Sequence, residues 1–174
     1  YFIGSQWNPV TFKFDTVKQS RSFIKDSINI VDVGCRWGIT EKFKGLKEAY
    51  FIGFDPDEEE CNKLQKLSDS QGINSKFVPY ALDSSSKNRN IYITEEPACS
   101  SFYKPISEIY KDYSSLKCIT PVKESSISCI TLDDWCENNH LDYIDYLKID
   151  VQGAELDVLK GATKVLQSVN ILEL

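Results

Sequence analysis

Methionine is absent from this sequence, histidine occurs once, and the six cysteines contain no C-x-x-C pair. Each scarcity closes off a class of chemistry. With one His and no cysteines at zinc-ligand spacing, a His/Cys metal centre has too few ligands. No apolar run approaches the roughly 20 residues that span a bilayer. Tyr1-Phe2-Ile3-Gly4 has neither the basic start nor the apolar core of a secretory signal. Positive charge is also short: 20 Lys+Arg face 26 Asp+Glu, and the net charge of −6 argues against a binder that works by neutralising phosphates. The basic residues (Lys13, Lys18, Arg21, Lys25, Lys42, Lys44, Lys47) are scattered rather than striped. Unpaired thiols, some on apolar faces (Cys61, Cys129), fit a reducing compartment and predict a cytoplasmic protein. The missing methionine, initiator included, predicts a native start that lies upstream or was removed. What remains is 174 residues, 41% hydrophobic, enough for one core in one domain spanning 1–174.

Strand and helix signals alternate, which predicts an α/β fold with a mostly parallel sheet between helices. After a lead-in over 1–28, strands are expected at Asn29–Val33, Tyr50–Phe54, Lys76–Tyr80, Ile91–Ile93, Ile127–Thr131, Tyr146–Asp150 and Asn170–Leu174. Pro79 marks the third as an edge strand. Helices are expected around Ile39, Phe43 and Leu46; after Pro56, with Cys61, Leu64 and Leu67 inward; from Leu132 to Asn138, capped by Thr131; and over Ala154–Lys160 and Ala162–Gln167. Residues 95–128 lack strong periodicity and read as an insertion on the acceptor side, carrying Phe102, Tyr103, Tyr110 and Tyr113.

In such sheets ligands bind beyond the carboxyl ends of the strands. The first strand runs into Asp32-Val33-Gly34-Cys35-Arg36-Trp37-Gly38, with glycines suited to a tight turn and a close approach. Arg36 stands where a dinucleotide fingerprint has its middle glycine, so a diphosphate is poorly provided for. Asp32 instead suits a cationic ammonium, as in the methionine part of S-adenosylmethionine (SAM). Asp55, closing the second strand, can accept from both hydroxyls of a ribose. Asp83, just past Ala81 and Leu82, is placed to meet an adenine edge.

Val31-Asp32-Val33-Gly34, Gly53-Phe54-Asp55-Pro56, Ser100-Ser101-Phe102, Thr131-Leu132-Asp133 and above all Leu147-Lys148-Ile149-Asp150-Val151-Gln152-Gly153-Ala154-Glu155 resemble the FkbM-type family of SAM-dependent methyltransferases. The resemblance implies a Rossmann-like class I methyltransferase fold, a three-layer sandwich, with SAM as donor and O-methylation of a sugar or natural-product hydroxyl. It implies a cofactor cradle of Asp32, Gly34, Cys35, Gly38, Asp55, Pro56, Ala81, Leu82 and Asp83. It also implies about two further strands after Leu174, without which an apolar edge stays unprotected, so the chain is expected to be incomplete there. The family usually has Glu at position 55, small or amide residues at 35 and 36, and Glu at 152.

Methyl transfer is an in-line displacement governed by alignment, helped by a base that takes the hydroxyl proton. Asp150 is the first candidate, with Lys148 on the same strand face behind it. His140 and Glu155 are further candidates; Glu155 is equally explained as a carboxylate on a helix dipole. Asp150 and Glu173 on neighbouring strands form a weaker, two-carboxylate metal reading, and no metal is assigned. Two rivals stay open: a catalytically silent Rossmann-like interaction domain, favoured by Gln152 and the bulky Cys35-Arg36-Trp37 loop, and a nucleotide-cofactor oxidoreductase. The partner expected is a small-molecule or carbohydrate hydroxyl, not nucleic acid.

Overall fold

A computed structural model describes residues 27–174; residues 1–26 of the lead-in, with the basic residues up to Lys25, lie outside the described residues. Five parallel strands form the main sheet: β1 (Ile28–Val33), β2 (Ala49–Phe54), β3 (Ser75–Val78), β7 (Tyr146–Ile149) and β8 (Ile171–Glu173), in the order β3-β2-β1-β7-β8. The chain steps outward from β1 to β3, then returns to β7 on the other side of β1. The switch point therefore falls between β1 and β7.

The central strands β1 and β2 are mostly apolar because both of their faces are covered. Alternation sends Val31, Val33, Ile52, Phe54, Leu147 and Ile149 to one face, against Leu132, Trp135 and Cys136 of α4 (Leu132–Asn138) and Val158 of α5 (Glu155–Lys160). Ile30, Phe51 and Phe77 point the other way, against Phe43 of α1 (Glu41–Lys44) and Cys61 and Leu64 of α2 (Glu58–Ser70). Helix on each side of a parallel sheet is the Rossmann-like arrangement.

Local chemistry accounts for the helix starts. Asp57 caps α2 by accepting from the Glu59 and Glu60 amides, and Thr131 caps α4 by accepting from Asp134 at 2.9 Å. β3 does lie at the sheet edge, but it stops at Val78, so Pro79 follows the strand instead of sitting within it. The helix expected around Ile39–Leu46 shrinks to four residues, since Thr40 is extended and Gly45 closes the turn. Leu67 is 52% exposed, not inward. Gly161 interrupts the last helical region, and only a 3-10 turn at Val165–Gln167 follows.

The larger correction concerns 95–128. Its first part holds two short 3-10 turns and the helix α3 (Ser107–Asp112), but β6 (Pro121–Ile130) is a ten-residue strand. It pairs antiparallel with β5 (Lys87–Thr94) and parallel with β4 (Ala81–Leu82), making a second, three-stranded sheet. The polar composition of Val122–Ser128 hid a strand whose partner lies on the far side of the 95–120 connection, beyond any local turn signal. Among the described residues no helix is long and apolar enough to cross a membrane.

Candidate active site

A cavity of about 880 Å³ opens over the switch point, between the carboxyl ends of β1, β2 and β7 and the inner face of the second sheet. It gathers Asp32, Gly34, Cys35, Gly38, Asp55, Pro56, Ala81, Leu82, Lys148 and Asp150. Its size falls in the range that encloses a small-molecule cofactor.

Gly34 leaves β1 with φ +89, and its amide and that of Cys35 both donate to the Phe54 carbonyl, at 2.9 and 3.1 Å. A Cβ on Gly34 would stand 2.0 Å from the Asp150 carbonyl oxygen, so the two strand ends approach more closely than any side chain permits. The Cys35 thiol is buried, and its pKa is pushed well up by that burial and by the charges of Asp32 and Asp55. It is therefore an inert wall atom.

Asp55 is 6% exposed; burial raises its pKa, while the Asp57 amide, donating to Oδ1 at 2.9 Å, and the Arg36 guanidinium, 3.6 Å from Oδ1, pull the other way. Arg36 also donates to Asp57 Oδ2 at 3.0 Å. The residue that breaks the dinucleotide fingerprint thus serves as a brace for the acid of β2.

Asp32 and Lys148 lie side by side in the β1–β7 register, and Lys148 Nζ donates to Asp32 Oδ1 at 2.9 Å. The close partner of Lys148 is Asp32, not Asp150, whose Oδ2 is 4.0 Å away. Period-2 alternation puts 148 and 150 on one face, but the register across strands sets the shorter contact. Burial raises the pKa of Asp32, and Lys148 offsets part of that rise.

Asp150 is exposed toward the cavity, and Gln152 Nε2 donates to its Oδ1 at 2.9 Å. Gln152 holds φ +56, a conformation uncommon for a side-chain-bearing residue, and its carbonyl accepts from Ser101 Oγ at 2.7 Å. An amide at 152 orients the Asp150 carboxylate as a donor, which an ionised Glu there would not do.

Four expected residues lie elsewhere. Asp83 is fully buried outside the cavity lining, paired with Arg89 at 3.0 Å and Lys87 at 3.2 Å; only its neighbours Ala81 and Leu82 reach the cavity. Arg89 ties Asp83 to Asp157 on α5 at 2.8 Å and lies 4.2 Å from the Phe102 ring centroid, so this acid fastens the second sheet to the first. Glu155 turns back on its own loop and accepts from the Val151 and Gly153 amides, both at 3.1 Å; burial raises its pKa, but these bonds outweigh it and hold the group low. His140 lies in the turn after α4, away from the cavity. Glu173 neighbours Lys148 in register, yet its carboxylate is held by Lys42 at 2.7 Å rather than sharing a site with Asp150.

The profile of the methyltransferase FkbM domain matches residues 32–174, and the chain belongs to this family. A putative methyltransferase of Jannaschia sp. (strain CCS1) is 28% identical over 170 residues, covering 91% of this chain and 59% of that protein. The hexuronic acid methyltransferase AglP of Haloferax volcanii is 29% identical over 141 residues, covering 81% and 52% respectively. The chain thus spans between half and three fifths of the length of these curated relatives. The crystal structure of methyltransferase FkbM from Methylobacillus flagellatus KT is similar at 16% identity and a TM-score of 0.47, over 83% of this chain and 32% of that one.

Proposed function

We propose that the protein is a SAM-dependent O-methyltransferase acting on a sugar hydroxyl. The single observation that carries this is the cavity at the β1–β7 switch point, where Asp32, Gly34 and Asp55 converge from two strand ends and Asp150 from a third. The donor set fits the cofactor. Asp55 Oδ1 is engaged by Asp57 and Arg36, leaving Oδ2 for ribose hydroxyls. The close approach at Gly34 leaves the floor of the cradle without side chains. Asp32 Oδ1 is taken by Lys148, leaving Oδ2 as an acceptor on the amino-acid side. The relative named as a hexuronic acid methyltransferase supports a sugar acceptor.

Bound SAM supplies an electrophilic methyl on sulfur. The chain's own task is to hold the hydroxyl in line and to receive its proton. Asp150 Oδ2 is the receiving atom, with Gln152 steadying Oδ1 and the Lys148 charge 4.0 Å from Oδ2. Asp150→Asn preserves shape and removes the acceptor charge. Transfer of labelled methyl from SAM to a panel of glycosides is expected to fall by about 10²–10⁴ in this variant with SAM affinity unchanged. Near-normal turnover would remove Asp150 from the reaction.

A further inference from the structure

The turn that follows β7 is tied to the second sheet. Gln152 and Gly153 hold φ +56 and +101 in succession. Glycine takes such a conformation freely, whereas a glutamine persists in it only where its surroundings hold it. From within the turn, Glu155 Oε1 accepts from the Val151 and Gly153 amides on either side of Gln152. From outside, the hold is the segment 101–103. Ser101 Oγ donates to the Gln152 carbonyl at 2.7 Å, and Tyr103 OH donates to Asp157 Oδ2 at 3.0 Å. The Tyr103 ring lies 3.6 Å from where a Cβ on Gly153 would stand. The segment is itself pinned to β5, because Ser101 and Tyr92 exchange backbone bonds at 2.8 and 3.2 Å.

Ser101 is 8% exposed, and its hydroxyl also accepts from the Tyr103 amide at 3.0 Å. Its one proton is therefore committed to Gln152 and is not free for a substrate, although the residue lines the cavity. The Gln152 side chain in turn donates to Asp150 Oδ1 at 2.9 Å. A long side chain in contact with solvent orients its partner poorly unless its own backbone is fixed. The bond from Ser101 supplies that fixed point.

We infer that Ser101 is a positioning residue for methyl transfer: by fixing the Gln152 peptide against the second sheet it aims the Gln152 amide at Asp150 Oδ1 and keeps Oδ2 turned toward the acceptor hydroxyl. This rests on the reading of Asp150 as the proton acceptor and goes beyond it by assigning what holds that carboxylate in line. A displacement of about 1 Å at a reacting group costs about 10²-fold in rate, so Ser101 acts without touching either substrate.

Protein labelled with 15N gives a readout that needs no acceptor. The signal pair of the Gln152 side-chain amide is identified by its loss in Gln152→Gly, a variant that tolerates the φ of this position. In the wild type the pair is expected away from the positions of a free glutamine amide, and in Ser101→Ala back at them. Turnover is then measured as labelled methyl passed from SAM to the panel of glycosides. Ser101→Ala should lower kcat by about tenfold to a hundredfold with the KM for SAM unchanged. Added to Gln152→Gly, it should lower kcat no further. A Gln152 signal that Ser101→Ala leaves in place, or a loss of kcat that is undiminished in the Gln152→Gly background, would overturn the inference. Asp150→Asn, assayed alongside, separates it from the reading beneath it. Turnover lost in Asp150→Asn but kept in Ser101→Ala overturns the inference alone, whereas near-normal turnover in Asp150→Asn overturns both. If no glycoside is methylated, the amide signal decides.

Discussion

Replacing Lys148 by Met leaves the Asp32 carboxylate, 3% exposed, without its 2.9 Å partner. Removing one member of a buried pair destabilises by about 3–5 kcal/mol when the stranded charge has no escape. Asp32 does have one, because it can take up a proton. From its ordinary value of 3.8, and at 1.36 kcal/mol per pH unit, that escape costs at most about 4 kcal/mol at pH 7 and about 1.6 kcal/mol at pH 5. Lys148 is 21% exposed, so solvent already screens part of the pair. The expected loss is about 2–4 kcal/mol at pH 7, falling below about 1.6 kcal/mol at pH 5. The sign follows from linkage. Without Lys148 the folded-state pKa of Asp32 rises further above the unfolded one, so the variant regains stability as pH falls. Urea unfolding of wild type and variant at both pH values measures this. A loss under 0.5 kcal/mol, or one of equal size at pH 5 and pH 7, would refute the reasoning (roughly the error of such a comparison).

Other outcomes follow from the same contacts. Gly34→Ala forces a Cβ to within 2.0 Å of the Asp150 carbonyl oxygen at φ +89; it should destabilise by about 3–5 kcal/mol, whereas Gly45→Ala, with open space around it and φ −86, should be neutral within about 0.5 kcal/mol in the same urea series. Arg89→Met strands fully buried Asp83, with Lys87 as its remaining partner, and should lower stability by about 2–4 kcal/mol in urea melts. Burial raises the pKa values of Asp32 and Asp55 above 3.8, so between 3.8 and those raised values the folded state binds more protons and these two groups make the apo protein less stable as pH rises. SAM affinity should run the opposite way over that window, weakening on acidification as Asp55 loses its charge; calorimetric titration across pH checks the crossing.

The elements that the sequence revealed well are those whose signal is local. Thr131 capping α4, the acidic start of α2 and the apolar runs of β1, β2 and β7 each depend on neighbours a few residues away. That Asp32, Gly34 and Asp55 come together was legible for the same reason, since they sit at strand ends and parallel sheets gather strand ends. Contacts across long separations were not. Lys148 chooses Asp32 over Asp150 because of a register spanning 116 residues. Asp83 turns to Arg89 because β5 folds back over it, and β6 finds β5 only after the 95–120 connection closes. The first half of β6 was missed because a polar segment carries little information until its partner shows which face looks into the cavity.

The measurement that tests the central claim most directly is a calorimetric titration of SAM into the wild-type protein and the Asp55→Ala variant, with NAD as the comparison ligand. The account predicts one SAM site in the wild type, a loss of about 1.5–3 kcal/mol of binding energy in Asp55→Ala through the missing charged acceptor, and no NAD binding. Binding of NAD without SAM, or a SAM affinity unchanged by Asp55→Ala, would contradict it.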